Sequence, residues 1–253
     1  MSNNQGIIGI VDFNPDTNPD KRQYVRRIGA LIPRGTKFEG VYFREDSDLS
    51  RYTALILSGS KLSATRYQNM CAEKSLEGTD YLAVDRMKLR LLDFKGNMFG
   101  ICFGAQLIAH MSGGKLGSLP QTEAGYLDHE LTADGRKDRI FGNLPDTFFG
   151  AHLHRDFVQS LPEVGVQSAK VLARRNEFIH AYSVLLQNGS LRYGVQPHPE
   201  MSNSRDATVL VQLNRHWLTD ELGEEEYEKA LIIPKNADFQ LSETIRKFAE
   251  MIN

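Results

Sequence analysis

The chain opens on a short apolar run, GIIGIVDF (Gly6 to Phe13), closed by NPDTNPD. A β-branched stretch that stops at turn residues predicts a buried parallel strand emptying into a loop. KRQYVRRIGALI then places apolar residues at a helical rhythm, so the beginning reads as strand, loop, helix. GVYFRED predicts a second strand. YTALILSGS (Tyr52 to Ser60) predicts a third, whose apolar run halts at small residues as a central strand does before a ligand-facing loop. YLAVDRMKLRLLDFKG spaces its apolar positions by three and four, the mark of an amphipathic helix, and NMFGICFGAQLIAHMSGG reads as strand, tight turn and helix. Such alternation predicts an α/β fold with a parallel sheet covered on both faces.

Beyond Gly113 the pattern changes. AKVLARRNEF and IHAYSVLLQNGSLRYGVQPHP read as short strands with a hairpin turn at Asn188-Gly189, so the later half is expected to be richer in β-structure and antiparallel in part. DATVLVQLNRHWLTDELG, EEEYEKALI and LSETIRKFAEMIN predict helices that close the chain. Without internal repeats, low-complexity tracts or long linkers, the expectation is one domain over residues 1–253, with a helical extension from about residue 203.

Composition narrows the functional classes. With 41% hydrophobic and 25% charged residues, the 253-residue chain has an ordinary globular composition, not a disordered one. A formal charge of -2 offers no basic bias to hold nucleic acid or an anionic membrane, so a small ligand or a protein partner is expected. Cys71 and Cys102 cannot make a disulfide framework, and no Cys/His spacing of structural zinc is present. The first residues lack a basic n-region and no apolar run approaches a membrane span, which together predict a cytoplasmic protein.

Cys102 is the residue that this picture does not explain. It lies between Gly100 and Gly104, after a predicted strand and before a predicted helix. A free cysteine is commonly a small buried hydrophobe. At a sharp strand-to-helix turn, however, the thiol is pushed into a cleft, the helix N-terminus favours the thiolate, and the next backbone N–H points at a developing oxyanion. Glycines on either side make such a turn sterically possible. Cys71, in the polar stretch RYQNMCAEKS, has no such frame and reads as incidental.

A cysteine nucleophile needs a base held by a third group. His198 in RYGVQPHPEMS follows an apolar strand and is bracketed by prolines, and Glu200 lies two residues on. In extended backbone the two side chains point the same way, so Glu200 can accept a hydrogen bond from the imidazole.

These residues resemble a family. GICFGAQ (Gly100 to Gln106) matches the Gly-x-Cys-x-Gly-x-Gln elbow of class I glutamine amidotransferases, and His198-Pro199-Glu200 resembles that family's histidine and glutamate, in the same chain order. AHLHRDFVQSLPEV (Ala151 to Val164), GGKLG with EAGY (Glu123 to Tyr126), and LSGSKLS (Leu57 to Ser63) add weaker agreement, so the likeness runs from about Gly6 to Ser202. The resemblance implies a flavodoxin-like, mostly parallel central sheet with flanking helices and an antiparallel β extension. It implies a Cys102-His198-Glu200 triad that hydrolyses the glutamine side-chain amide through a thioester. Phe103 and either Gly59 or Ser60 would hold the oxyanion, and Gln106, Leu153 and His154 would grip the substrate. Ser60 and Lys61 depart from the family's usual Gly-Pro after Gly59.

No cofactor is expected. No phosphate-binding loop is visible, so the synthase receiving the ammonia is expected to be a separate protein subunit. The alternative reading of the same triad is a γ-glutamyl amide or peptide hydrolase, and a third is a non-catalytic subunit that binds a partner. His152, His154, Asp156, His198 and Glu200 could be assembled on paper into a metal site, but a metal hydrolase has no use for a glycine-framed thiol, and no metal is expected. His110 reads as structural, and Asp156 either orients His154 or caps a turn.

Overall fold

In a computed structural model describing residues 6–16 and 23–252, the apolar runs of the amino-terminal half become β1 (Ile7–Asp12), β2 (Lys37–Tyr42), β3 (Ala54–Leu57) and β4 (Asn97–Ile101). Between them lie α1 (Tyr24–Gly29), α2 (Ala64–Glu73) and α3 (Thr79–Asp93), and α4 (Phe103–Met111) follows β4 directly. Every residue of β3 is buried, as a continuous apolar run requires when helices cover both faces of a sheet. The carboxyl half contributes β5 (Lys115–Leu131), β6 (Thr147–Ser160), β7 (Val166–Arg175), β8 (Phe178–Leu186) and β9 (Leu191–Val195), then α5 (Ser204–Gln212), α6 (Arg215–Leu222), α7 (Glu224–Ala230) and α8 (Glu243–Glu250).

The strands form one nine-stranded sheet in the order β2-β1-β3-β4-β9-β8-β6-β5-β7. Pairing is parallel from β2 to β9 and antiparallel from β9 onward, and β7 also pairs with β8, so the antiparallel half curls back on itself. The expected "mostly parallel" sheet is thereby corrected: β5 to β8 are four of its nine strands, and its five antiparallel pairings outnumber its four parallel ones. The hydrophobic pattern hides their length because inward positions carry His129, His152, His154 and Asp156 where an apolar alternation would announce a strand. Pro120 and a register shift between Ser118 and Glu123 break β5 further.

Two apolar layers flank the parallel half. Tyr67 of α2, Val84 and Met87 of α3, and Leu107 and Ile108 of α4 pack on one face. Ile28 of α1 and Ile245 and Phe248 of α8 pack on the other, where the Phe248 ring lies 5.5 Å from Phe99. Helix α2 rises from a polar stretch with no predicted element. Ser63 starts it by accepting from the Arg66 N–H at 3.0 Å, and Ala64, Tyr67 and Met70 supply one buried face. The expected second strand begins earlier, at Lys37, and the first helix is described only from Tyr24, with Lys21 and Arg22 outside the described residues. The long helix expected after Asp206 is two: Leu213 and Asn214 end α5, and the Asn214 side chain donates to the Leu210 carbonyl at 2.8 Å. No helix among the described residues is long and apolar enough to cross a membrane.

Candidate active site

Cys102 occupies the single residue between β4 and α4, with φ +49° and ψ -108°. That conformation lies outside the regions open to L-residues without strain, and holding a side chain there costs on the order of 1–3 kcal/mol. Three backbone bonds hold it: the Cys102 N–H donates to the Val195 carbonyl at 2.8 Å, Gly104 to Ser58 at 3.1 Å, and Gln106 to Cys102 at 3.0 Å. The framing glycines are needed for close approach. A Cβ on Gly100 would stand 2.5 Å from the Gly104 carbonyl group, and one on Gly104 would stand 2.5 Å from the Leu57 carbonyl oxygen.

His198 arrives from the end of β9. Its N–H donates to the Ala151 carbonyl of β6 at 2.9 Å, which pins the Pro197-His198-Pro199 segment to the antiparallel half. The imidazole Nδ1 lies 2.7 Å from Glu200 Oε1, and both side chains are buried. Burial alone would push the imidazole pKa down. The Glu200 carboxylate, the charge on Cys102 and hydrogen bonds to both outweigh it and raise His198 to about 10. Such a histidine holds its proton beside the sulfur.

The loop after β3 closes the third side. Ser60 Oγ donates to the Phe13 carbonyl at 2.8 Å and accepts from the Leu62 N–H at 3.1 Å, so its side chain shapes the loop. Gly59 is buried against the imidazole: a Cβ there would be 2.8 Å from His198 Cε1 and 3.2 Å from the Tyr24 hydroxyl. These elements meet at the carboxyl ends of β3, β4 and β9, where open α/β sheets carry their ligands. A cavity of about 710 Å³ opens there, reached by Cys102 and His198 and lined among others by Ser60, Phe103, Gln106, Leu153 and His154.

Gln106 departs from a simple substrate-gripping role. Its Nε2 donates to the Asp156 carbonyl at 2.6 Å and to Gln196 Oε1 at 3.0 Å, while Gln196 Nε2 lies 3.5 Å from Cys102 Sγ. Sequence reasoning misses Gln196, although its spacing of two from His198 on extended backbone is a usable signal. It also misses Tyr24, stacked on His198 with ring centroids 6.5 Å apart, and Trp217 of α6, which lines the cavity. Neither belongs to a recognisable motif.

The open question about Asp156 resolves as both alternatives. Its carboxylate caps the start of α2, accepting from Ser63 Oγ at 2.7 Å and the Thr65 N–H at 3.0 Å, while its carbonyl accepts from His154 Nδ1 at 3.1 Å. His110 packs edge-on against Tyr67 away from the cavity lining. The five residues that could form a metal site on paper do not converge: His198 pairs with Glu200, Asp156 turns to α2, and His152 and His154 turn to Glu123.

A model of the family described as glutamine amidotransferase class-I matches residues 45–216. A GMP synthase (glutamine-hydrolyzing) of Flavobacterium psychrophilum is 28% identical over 166 residues, 66% of this chain but only 28% of the synthase. Gamma-glutamyl peptidase 5 of Arabidopsis thaliana is 28% identical over 203 residues, 78% of this chain and 71% of the peptidase. The chain thus spans less than a third of that synthase and most of that peptidase. Among solved structures, a glutamine amidotransferase of Thermotoga maritima superposes with a TM-score of 0.64 at 15% identity, covering 98% of this chain and 99% of that one. With the elbow, the histidine and the sheet order in place, the match over residues 45–216 makes this chain a member of the class I glutamine amidotransferase family.

Proposed function

We propose that the protein hydrolyses the side-chain amide of L-glutamine with Cys102 as nucleophile, His198 as acid and base, and Glu200 as the group that orients His198. The observation that carries this reading is the strained Cys102 turn beside a buried histidine that Glu200 holds at 2.7 Å. Cys102 Sγ attacks the carboxamide carbon, and the carbonyl oxygen takes the electron pair. In this reading the N–H groups of Phe103 and of Gly59 or Ser60 receive that oxyanion. His198, kept protonated by its neighbours, donates to the departing nitrogen; ammonia leaves and the γ-glutamyl thioester remains. Neutral His198 then takes a proton from water, which attacks the thioester and releases glutamate and the Cys102 thiolate.

Ammonia release from glutamine by the wild type and by Cys102→Ala tests the assignment. Loss in the variant is expected, and full activity in the variant would overturn it. We propose that the ammonia is consumed by a separate synthase chain. This is supported by a relative from Picrophilus torridus whose name makes it one subunit of a glutamine-hydrolyzing GMP synthase; it is 32% identical over 114 residues, which are 45% of this chain and 55% of that one.

A second reading, a γ-glutamyl peptide hydrolase with water as the only acceptor, is favoured by the coverage of the Arabidopsis peptidase. The cavity wall formed by Leu210, Asn214 and Trp217 also leaves room beyond a single amino acid. Comparing kcat/KM for glutamine with that for a γ-glutamyl dipeptide separates the two, and stimulation of glutamine turnover by the protein encoded beside it would favour the synthase arrangement.

A further inference from the structure

Behind the cavity wall, four buried histidines converge: His129 on β5, His152 and His154 on β6, and His180 on β8. With Glu123 of β5 they form a cluster of which only His154 reaches the cavity lining. One nitrogen each from His152, His154 and His180 and one carboxylate oxygen of Glu123 lie within 4.8 Å of one another. Three edges of that group are short: His152 Nδ1 to His154 Nε2 is 2.9 Å, His154 Nε2 to Glu123 Oε2 is 3.1 Å, and His152 Nδ1 to Glu123 Oε2 is 3.5 Å. A tetrahedral zinc ion with ligands at about 2.0–2.1 Å requires ligand atoms about 3.3 Å apart. These three atoms already outline one face of that tetrahedron.

The surroundings supply what metal ligands need. His154 Nδ1 meets the Asp156 carbonyl at 3.1 Å, and a carbonyl only accepts, so the proton of neutral His154 is on Nδ1 and its Nε2 lone pair faces the cluster. His152 Nε2 is engaged by His129 Nε2 at 2.7 Å. Glu123 Oε1, the oxygen away from the cluster, is bonded by Arg175 Nη1 at 2.7 Å. Ligand imidazoles and carboxylates are held in this way by partners on their far atoms. His180 adds an independent signal: it is 3% exposed, and its buried Nδ1 has no hydrogen-bond partner among the described residues.

We propose that Glu123, His152, His154 and His180 bind one divalent transition metal ion, zinc by the chemistry of three imidazoles and a carboxylate. Four protein ligands make a closed, structural site. The ion ties β5, β6 and β8 together directly behind Leu153 and His154, and so stiffens the wall of the cavity without taking part in hydrolysis.

The test uses the full-length protein freed of metal by dialysis against a chelator. Co2+ serves as the optical probe and Zn2+ as its competitor, and bound metal is counted by elemental mass spectrometry. The expected result is about one equivalent of Zn2+, a visible tetrahedral Co2+ band that Zn2+ abolishes, and a thermal midpoint that climbs with Zn2+ concentration. His180→Gln and Glu123→Gln should each weaken binding at least about tenfold, whereas Cys102→Ser should bind as the wild type does. Either glutamine variant serves if the other fails to fold. Wild-type protein without stoichiometric binding would overturn the proposal. So would binding lost in Cys102→Ser and kept in the glutamine variants, which would assign the metal to the Cys102-His198 cleft.

Discussion

Replacing Glu200 by Gln keeps the shape of the side chain and removes its charge. In the folded protein His198 is raised from its ordinary 6.5 to about 10, against a burial effect that by itself lowers it. At 1.36 kcal/mol per pH unit this rise corresponds to about 5 kcal/mol of extra stability while the imidazole is charged in both folded and unfolded states. The sign is that of a raised base. The contribution is complete below pH 6.5, where the unfolded imidazole is also protonated, and is lost as pH climbs from 6.5 through about 10. Glu200→Gln removes the foremost upward influence, so His198 should titrate well below its wild-type value. The assay is twofold: the His198 ring resonances followed against pH, and urea unfolding of both proteins between pH 6 and 10. The wild type should exceed the variant by several kcal/mol near pH 6.5, with the gap closing toward pH 10. Glutamine hydrolysis in the variant should fall by about 10²–10⁴-fold, as it does when a triad's orienting carboxylate becomes an amide. A wild-type His198 titrating at or below 6.5, or a gap that does not change with pH, would refute the reasoning.

Other substitutions read separate parts of the same design. Cys102→Gly removes a side chain from a φ of +49° and should stabilise the protein by about 1 kcal/mol in urea unfolding while abolishing hydrolysis. Gly104→Ala puts a Cβ 2.5 Å from the Leu57 carbonyl oxygen, a backbone atom that cannot swing away, and should cost about 1–3 kcal/mol by the same measurement. Gln196→Leu takes one of two acceptors from Gln106 Nε2 and should cost about 1 kcal/mol, with a drop in kcat larger than any rise in KM. Trp217→Ala, at the cavity rim and 44% exposed, should raise KM with kcat within about twofold, and more for a γ-glutamyl dipeptide than for glutamine.

Much of the candidate site is legible in the sequence because its parts are local. Gly100, Cys102 and Gly104 encode one tight turn, and the His198–Glu200 spacing of two encodes one shared side of an extended segment. Gln196 belongs to that same alternation and escapes notice only because glutamine carries no acid–base chemistry to attract attention. The polar barrel half is not legible. His129, His152, His154 and Asp156 face inward on β5 and β6, and a hydrophobic pattern cannot announce a strand whose buried positions are polar. Helix α2 is hidden for a related reason, since only Ala64, Tyr67 and Met70 of its ten residues are buried.

By itself, then, the sequence determined the alternating β and α elements of the first half, the elbow at Cys102 and the pairing of His198 with Glu200. Each depends on residues a few positions apart, whose geometry follows from backbone period and the steric needs of glycine. Tertiary structure alone decided that β9 delivers His198 beside Cys102, that Tyr24 and Gly59 pack against that imidazole, and that Glu123 meets three histidines from two other strands. Those contacts join residues tens of positions apart through sheet order and register. No local pattern specifies which strands become neighbours when their buried faces are polar.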